Sequence, residues 1–133
     1  MSPSRRLILF VLPLAAAGCD GLLSPGGCSA SLEPGVVVEI RDKHTGAPLA
    51  GLARGVVREG TFVDSLQPGA FSEPADRLGS MYSRQAAYER AGRYTVLVER
   101  PGYESWTASG VLVRRDACHV RTRQLQAELV PVS

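Results

Sequence analysis

The feature that most restricts the fold is an alternation of apolar and polar residues over short stretches of the chain. In the two clearest stretches the apolar residues stand at every second position, Val36, Val38 and Ile40 in one and Tyr94, Val96 and Val98 in the other. A period of two places these side chains on one face of an extended strand, and it is typical of a strand buried on one side. We therefore predict a fold made of strands.

Turn-forming residues divide the rest of the chain into short segments. Gly46 and Pro48 lie in one turn, and Pro101 and Gly102 form another. The segment 80–87 has the weakest strand pattern, and its "RQAAYERA" neighbourhood also suits a single helical turn. Strands are predicted over residues 36–41, 54–58, 61–66, 80–87, 92–99, 103–113 and 118–130.

The last predicted strand has an irregular pattern. Its apolar phase shifts between Val120 and Leu125, which predicts a β-bulge. About seven short strands separated by Gly/Pro turns, within roughly 100 residues, predict a single antiparallel β-sandwich.

The N-terminus has the composition of an export signal. Arg5 and Arg6 precede an apolar run over residues 7–17, which leads directly to Gly18 and Cys19. The run is too short to cross a hydrocarbon core of about 30 Å as a helix. We predict that residues 1–18 are a signal peptide and that residues 19–34, rich in Gly, Ser and Pro, are a flexible tether.

The sequence "AAAGC" at residues 15–19 resembles a bacterial lipobox, in which the cysteine receives a diacylglyceryl group and becomes the new N-terminus. Ala16 stands where such boxes usually carry leucine, and Ala15 to Ala17 also fit an ordinary A-x-A cleavage site. The resemblance implies lipidation of Cys19 and attachment to a membrane of the bacterial cell envelope, facing the periplasm or the exterior. The alternative is a secreted periplasmic protein.

The charge balance argues against a nucleic-acid partner. Lys and Arg number 15 and Asp and Glu 13 in the whole chain, and Arg5 and Arg6 belong to the predicted signal. The mature chain therefore carries equal numbers of positive and negative side chains, and it lacks the excess of basic residues that a nucleic-acid-binding domain shows.

The three cysteines give an odd count for an exported protein. If Cys19 carries lipid, Cys28 and Cys118 remain, and we predict that they form a disulfide between the two ends of the fold. The alternatives are a free thiol, or a reactive or metal-binding pair of Cys118 with His119. Neighbouring strand residues point to opposite faces, and His44 is the single other histidine, so these alternatives are disfavoured.

The chain resembles the carboxypeptidase regulatory-like domain of the transthyretin-like (prealbumin-like) superfamily over residues 34 to 131. The resemblance lies in "VVVEIRDKHTGAPLAG", "GRYTVLVERPGYESW" and "GVLVRRDACHVRTRQLQAELVP". It implies a transthyretin-like, Ig-like sandwich over residues 35–131. It further implies a small accessory domain that binds or positions other molecules without catalysis.

Enzymes of the same superfamily carry motifs that are missing here. Hydroxyisourate hydrolases end in Tyr-Arg-Gly-Ser, whereas this chain ends in "LVPVS". The iron site of catechol dioxygenases needs two Tyr and two His at a spacing not seen here. We predict no catalytic residue, no metal and no cofactor. The alternatives are a small hydrolase or metal-dependent enzyme on this fold, supported if His44 and His119 converge, and a carbohydrate-binding module.

Few side chains stand out as contacts for an envelope protein or a glycan. Trp106 is the candidate contact, provided that it is exposed. Tyr94 shares its phase with buried positions and is predicted to be core. Asp42, Lys43 and His44 are predicted to be solvated turn residues. Arg121 and Arg123 share a strand phase and form either a small basic stripe or an ordinary salt-bridged surface.

Overall fold

The computed structural model describes residues 27–69 and 82–133. The described residues form eight β-strands and one short 3-10 helix, Ala50–Leu52, and the strands make two sheets. The predicted all-β sandwich is confirmed. In chain order the strands are β1 (Val36–Asp42), β2 (Arg54–Glu59), β3 (Phe62–Ser65), β4 (Ser83–Ala86), β5 (Gly92–Glu99), β6 (Trp106–Arg115), β7 (Val120–Arg121) and β8 (Arg123–Leu129).

The strand order brings the two ends of the chain together. One sheet has the order β4-β1-β8, and the other has the order β3-β2-β5-β6-β7. β1 and β8 run parallel along their whole length, from the pair Val36 and Arg123 to the pair Asp42 and Leu129. The other paired strands are antiparallel. The sandwich is therefore antiparallel except for this one pair of strands, the first and the last of the described chain.

The alternating residues of β1 and β5 build the core. Inward-facing side chains of the two sheets meet in one apolar cluster, as the period-two pattern predicts. Tyr94 is fully buried, which confirms its predicted place in the core. The fully buried side chains of largest volume are Tyr94, Ile40, Leu129, Val36, Val38, Val57, Val96, Val98 and Val113.

The predicted last strand is divided between the two sheets at Thr122. β7 pairs with β6, whereas β8 pairs with β1. The Thr122 hydroxyl donates to the Pro34 carbonyl at 2.7 Å, and the backbone N–H of Arg123 donates to the Gly35 carbonyl at 2.8 Å. The shift of apolar phase therefore marks a change of sheet. Arg121 and Arg123 lie on different sheets, so the prediction that they share a face is wrong.

A register irregularity lies instead between β5 and β6, between Tyr94 and Val96. On β6 the nearby Gly110 has φ +64°, a left-handed conformation that glycine adopts without steric cost. The start of β6 also differs from its prediction. The strand predicted from residue 103 begins at Trp106, and Tyr103 forms an isolated bridge with Pro131.

The turn after β1 is held by a carboxylate that the sequence analysis expected to be solvated. Asp42 is buried, and its Oδ1 accepts the backbone N–H groups of His44 at 2.7 Å and Thr45 at 2.9 Å. The Tyr103 hydroxyl donates to Oδ2 at 2.8 Å. These hydrogen bonds, the Thr45 N–H foremost, lower the pKa of Asp42 to about 2. Asp42 thus links β1 to the chain that follows β5.

Candidate functional site

The Cys28–Cys118 disulfide lies at the centre of the candidate site. The two cysteines are bonded with their Cα atoms 5.2 Å apart, which confirms the predicted pairing. Cys28 precedes β1, and Cys118 lies in the turn between β6 and β7. The bond therefore fastens the segment before the first strand to the far end of the five-stranded sheet. Each cysteine has a polar neighbour in sequence, Ser29 and His119, and the bond brings these two together.

The turn between β6 and β7 is shaped by Asp116. Its Oδ1 accepts the backbone N–H groups of Cys118 and His119, both at 2.9 Å, and its own N–H donates to the His119 carbonyl at 2.9 Å. The two N–H donors, His119 first, lower the pKa of Asp116. The carboxylate acts as a local cap that holds the backbone of the turn carrying His119.

His119 links a serine to a carboxylate. Its Nδ1 lies 2.7 Å from Glu89 Oε1, and its Nε2 lies 3.0 Å from Ser29 Oγ. The Ser29 hydroxyl also lies 2.7 Å from the hydroxyl of Ser31. Ser29 is exposed, whereas the imidazole is mostly buried, with 19 % of its side chain accessible. A serine, a histidine and a glutamate are therefore aligned in one hydrogen-bonded chain.

Glu89 is held in place by backbone as well as by side chains. It has φ +50°, a conformation that non-glycine residues adopt at a cost and that often occurs at functional positions. Oε1 also accepts the Glu33 N–H at 2.8 Å, and this bond, followed by the contact with His119, holds the pKa of Glu89 below its ordinary value. Oε2 is buried with no hydrogen-bond partner among the described residues, although Arg115 Nη1 lies 3.7 Å away.

Arg115, the last residue of β6, contacts the turns that carry Glu89 and His119. Its guanidinium donates to the carbonyl oxygens of Glu89 at 2.9 Å and Cys118 at 3.4 Å. It lies near both the turn that carries Glu89 and the turn that carries His119, and thereby holds the two together. The resulting arrangement contains a hydroxyl, a base and an orienting carboxylate, the components of nucleophilic catalysis.

The segment from Cys28 to Pro34 is bonded to the sandwich at several points. The predicted flexible tether covers residues 19–34. The disulfide, the Ser29–His119 contact and the bond from Glu33 to Glu89 attach residues 28–33 to the sandwich, and Thr122 bonds the Pro34 carbonyl. The rest of the predicted tether, residues 19–26, lies outside the described residues, and so does Cys19 with its predicted lipid.

The two histidines do not converge. His44 is exposed on the turn after β1, whereas His119 lies beside Glu89 and Glu33, near the start of β1. A strand of this length spans roughly 20 Å. Among the described residues, moreover, no group of three or more His, Cys, Asp or Glu side chains could hold a metal ion.

Trp106 is only partly accessible. Its side chain is half-buried and packs against the core cluster. The exposed aromatic residues of the described chain are instead Tyr82, 44 % accessible, and Tyr88, 37 % accessible, on either side of β4. Arg41 lies over the Tyr82 ring at 4.4 Å. The condition set for Trp106 as a partner contact, an exposed indole, is met only in part.

Surface clefts of the described residues lie at the other end of β5 from His119. Clefts of about 410 and 380 Å³ are lined by Arg54, Arg100 and Pro101, and another of about 440 Å³ is lined by Arg54 and Arg84, where β2 begins and β5 ends. Within them Arg84 donates to the carbonyl oxygens of Ala50, Gly51 and Leu66, which is a structural role.

No helix of the described residues is long and apolar enough to cross a membrane.

Sequence reasoning identified His119 but not its partners. Ser29 was assigned to the tether, and Glu89 lay in the weakly patterned segment that suited either a strand or a helical turn. The available signal was the disulfide itself, because bonded cysteines bring their chain neighbours close together. Comparison with known protein families and with curated protein sequences finds no match to this chain.

Proposed function

We propose that this protein is a lipid-anchored, non-catalytic interaction module of the bacterial cell envelope. The observation that carries the proposal is the Cys28–Cys118 bond, since it leaves Cys19 as the unpaired member of the three cysteines. Cys19 follows a basic and apolar N-terminal segment within a lipobox-like sequence. A thiol at that place suits lipidation, and the disulfide accounts for the other two cysteines.

The arrangement suggests how such a module would work. Lipid on Cys19 would hold the chain at a membrane, since several acyl chains on one residue give stable attachment. The stretch from Cys19 to Cys28 spans at most roughly 30 Å when extended. The sandwich would thus remain close to the membrane and present its faces to an envelope protein or a glycan. The resemblance to carboxypeptidase regulatory-like domains supports this accessory role.

Intact mass of the membrane-extracted protein tests the anchor. We expect a chain that starts at Cys19 and carries the added mass of a diacylglyceryl group, with or without a further acyl chain. Cys19→Ser should leave the membrane fraction, while the matched variant Cys28→Ser/Cys118→Ser should stay there. An unmodified mature wild-type chain in the soluble fraction would overturn the proposal. Crosslinking in envelope fractions, followed by mass spectrometry, identifies the partner.

A second candidate function is a small hydrolase, and the Ser29–His119–Glu89 chain favours it. In this mechanism His119 Nε2 accepts the Ser29 proton as Oγ attacks an ester carbonyl, while Glu89 holds the Nδ1–H. His119 then returns the proton to the leaving alcohol. His119 then deprotonates a water that attacks the acyl-serine carbonyl, and it returns that proton to Ser29 Oγ as the ester bond breaks and the acid leaves. Both contact distances, 3.0 and 2.7 Å, suit these transfers.

Hydrolysis of a chromogenic ester and labelling by a fluorophosphonate decide between the two functions. A hydrolase requires turnover that disappears in Ser29→Ala and in His119→Ala but persists in Ser31→Ala, the neighbouring hydroxyl. It also requires covalent label on Ser29 by peptide mass. Absence of both signals, with the disulfide intact, rejects the hydrolase and leaves the binding module.

A further inference from the structure

The outer face of the five-stranded sheet, the face turned away from the core, carries an arginine cluster. The alternation along each strand places one arginine of that strand on this face, and all of them are exposed. They are Arg58 of β2, Arg93 of β5, Arg114 of β6 and Arg121 of β7. We call these four side chains the basic quartet. The four strands that carry them are consecutive neighbours in this sheet.

The strand register makes the quartet continuous. Arg58 lies opposite Thr95, which places Arg93 on the diagonal, and Arg93 lies opposite Leu112, which places Arg114 on the next diagonal. Diagonal neighbours are about 7–8 Å apart. Arg114 and Arg121 are directly opposite each other, at about 5 Å. The four charges therefore form a row across the sheet.

Among the described residues, the quartet has fewer carboxylate partners than Arg90 and Arg115. Arg115 and Arg90 have ion pairs with Glu89 and Glu59. Within residues 27–69 and 82–133, the quartet shows one ion pair, between Arg121 and Asp116 at 4.0 Å, with 74 % of the Arg121 side chain accessible.

Two like charges directly opposite in a sheet destabilise it. Arg114 and Arg121 are such a pair, and the contact with Asp116 is too long and exposed to offset them. A bound anion would neutralise this repulsion, so the placement indicates a ligand of negative charge.

The end of the sheet that carries the quartet is also the end at which the chain enters the fold. Arg114 and Arg121 flank the turn that contains Cys118, and Cys118 is bonded to Cys28. The stretch from Cys28 back to Cys19 reaches at most roughly 30 Å. Any membrane that holds Cys19 would therefore lie within reach of the quartet.

We propose that the basic quartet binds the phosphate headgroups of anionic lipids in the membrane that carries the Cys19 anchor. This inference rests on the proposed lipid attachment for its choice of a membrane over another polyanion. Guanidinium groups bind phosphate oxygens through paired N–H donors. Half-buried Leu112, which lies opposite Arg93, adds apolar surface beside the arginines on the same face. The interaction would orient the sandwich and leave its other sheet free for a partner.

The test uses the chain from Cys19 onward with Cys19→Ser, so that no lipid contributes to binding. Sedimentation with phosphatidylcholine vesicles, with or without phosphatidylglycerol, measures the affinity. We expect binding only to vesicles that contain phosphatidylglycerol. This binding should weaken as added salt shortens the screening length below about 10 Å. Each arginine near an anionic surface contributes roughly a fivefold gain in affinity.

Matched double variants locate the site. Arg93→Gln/Arg114→Gln should weaken binding roughly 25-fold. The control Arg54→Gln/Arg100→Gln removes the same charge at the opposite end of the sheet, where β2 begins and β5 ends, and should weaken binding less than about threefold. Circular dichroism checks that both variants are folded.

Three outcomes would overturn the inference: equal losses in the two variants, equal binding to neutral vesicles, or binding to soluble polyglutamate without binding to vesicles. None depends on lipidation, so failure here is distinct from failure of the anchor, which intact mass reports.

Discussion

Removal of the Cys28–Cys118 bond should cost a large part of the stability of this domain. The perturbation is Cys28→Ala/Cys118→Ala, which avoids a leftover thiol. The bond closes a loop with a sequence separation of 90 residues. The chain-entropy relation for a loop of that length gives about 4.6 kcal/mol, an upper value because bridges often deliver less. Small domains have net stabilities of about 5–15 kcal/mol. We expect the variant to fold but to lose about 2–4 kcal/mol.

Urea unfolding followed by Trp106 fluorescence measures this loss. With a slope of about 1–2 kcal/mol per molar, the transition midpoint should fall by roughly 1–4 M. Wild-type protein in reductant should match the variant, which is the internal control. A midpoint within about 0.5 M of the oxidised protein, at an unchanged slope, would refute the reasoning. It would show that the parallel pairing of β1 with β8 already holds the two chain ends together.

Three further predictions concern the sandwich. The Thr45 N–H foremost keeps the pKa of Asp42 at about 2, below the ordinary 3.8, so its contribution is complete above about pH 4 and is lost as the pH falls towards 2. In Asp42→Asn the urea midpoint should fall less between about pH 4 and pH 2 than it does in the wild-type protein. An equally steep fall in the variant would contradict this prediction. Gly35→Ala should lower stability by about 1–3 kcal/mol, because the added Cβ would lie 2.6 Å from a backbone carbonyl oxygen; an unchanged midpoint would count against this. Ile40→Ala should lower the free energy of unfolding in urea by about 2–5 kcal/mol. Val37→Ala, on the outer face of the same strand, should lower it by about 1 kcal/mol or less. Similar losses in the two variants would show that the two faces are misassigned.

Local sequence patterns predicted most of the elements because they depend on residues close together in the chain. Val36, Val38 and Ile40 require an extended strand with one buried face wherever that strand packs. The turn over Gly46 and the turn at Pro101 follow from backbone preferences of single residues. β1, β2 and β5 accordingly lie within a residue or two of their predicted bounds.

The last strand shows where a local pattern is insufficient. The shift of phase between Val120 and Leu125 was visible, and we interpreted it as a bulge. A bulge and a change of sheet produce the same shift, because both move alternate side chains to another face. The choice depends on Pro34 and Gly35, which bond Thr122 and Arg123 from almost ninety positions earlier in the chain.

The candidate sites separate in the same way. With Cys19 assigned to lipid, the cysteine count predicted the pair Cys28 and Cys118, since two thiols of a small exported domain usually pair. It was not enough to show that Ser29 and Glu89 both reach His119. Nor did it show that arginines from four strands form one row, because neither set has a characteristic spacing in the sequence.

The sequence by itself determined most of the strands and the buried side of β1 and β5, and it favoured the pairing of Cys28 with Cys118. The tertiary structure alone decided which strands are neighbours, and with them the contacts of His119 and the alignment of the arginines. The physical reason is range: propensity and alternation act between adjacent residues, whereas strand order is set by packing between segments that are far apart in the chain.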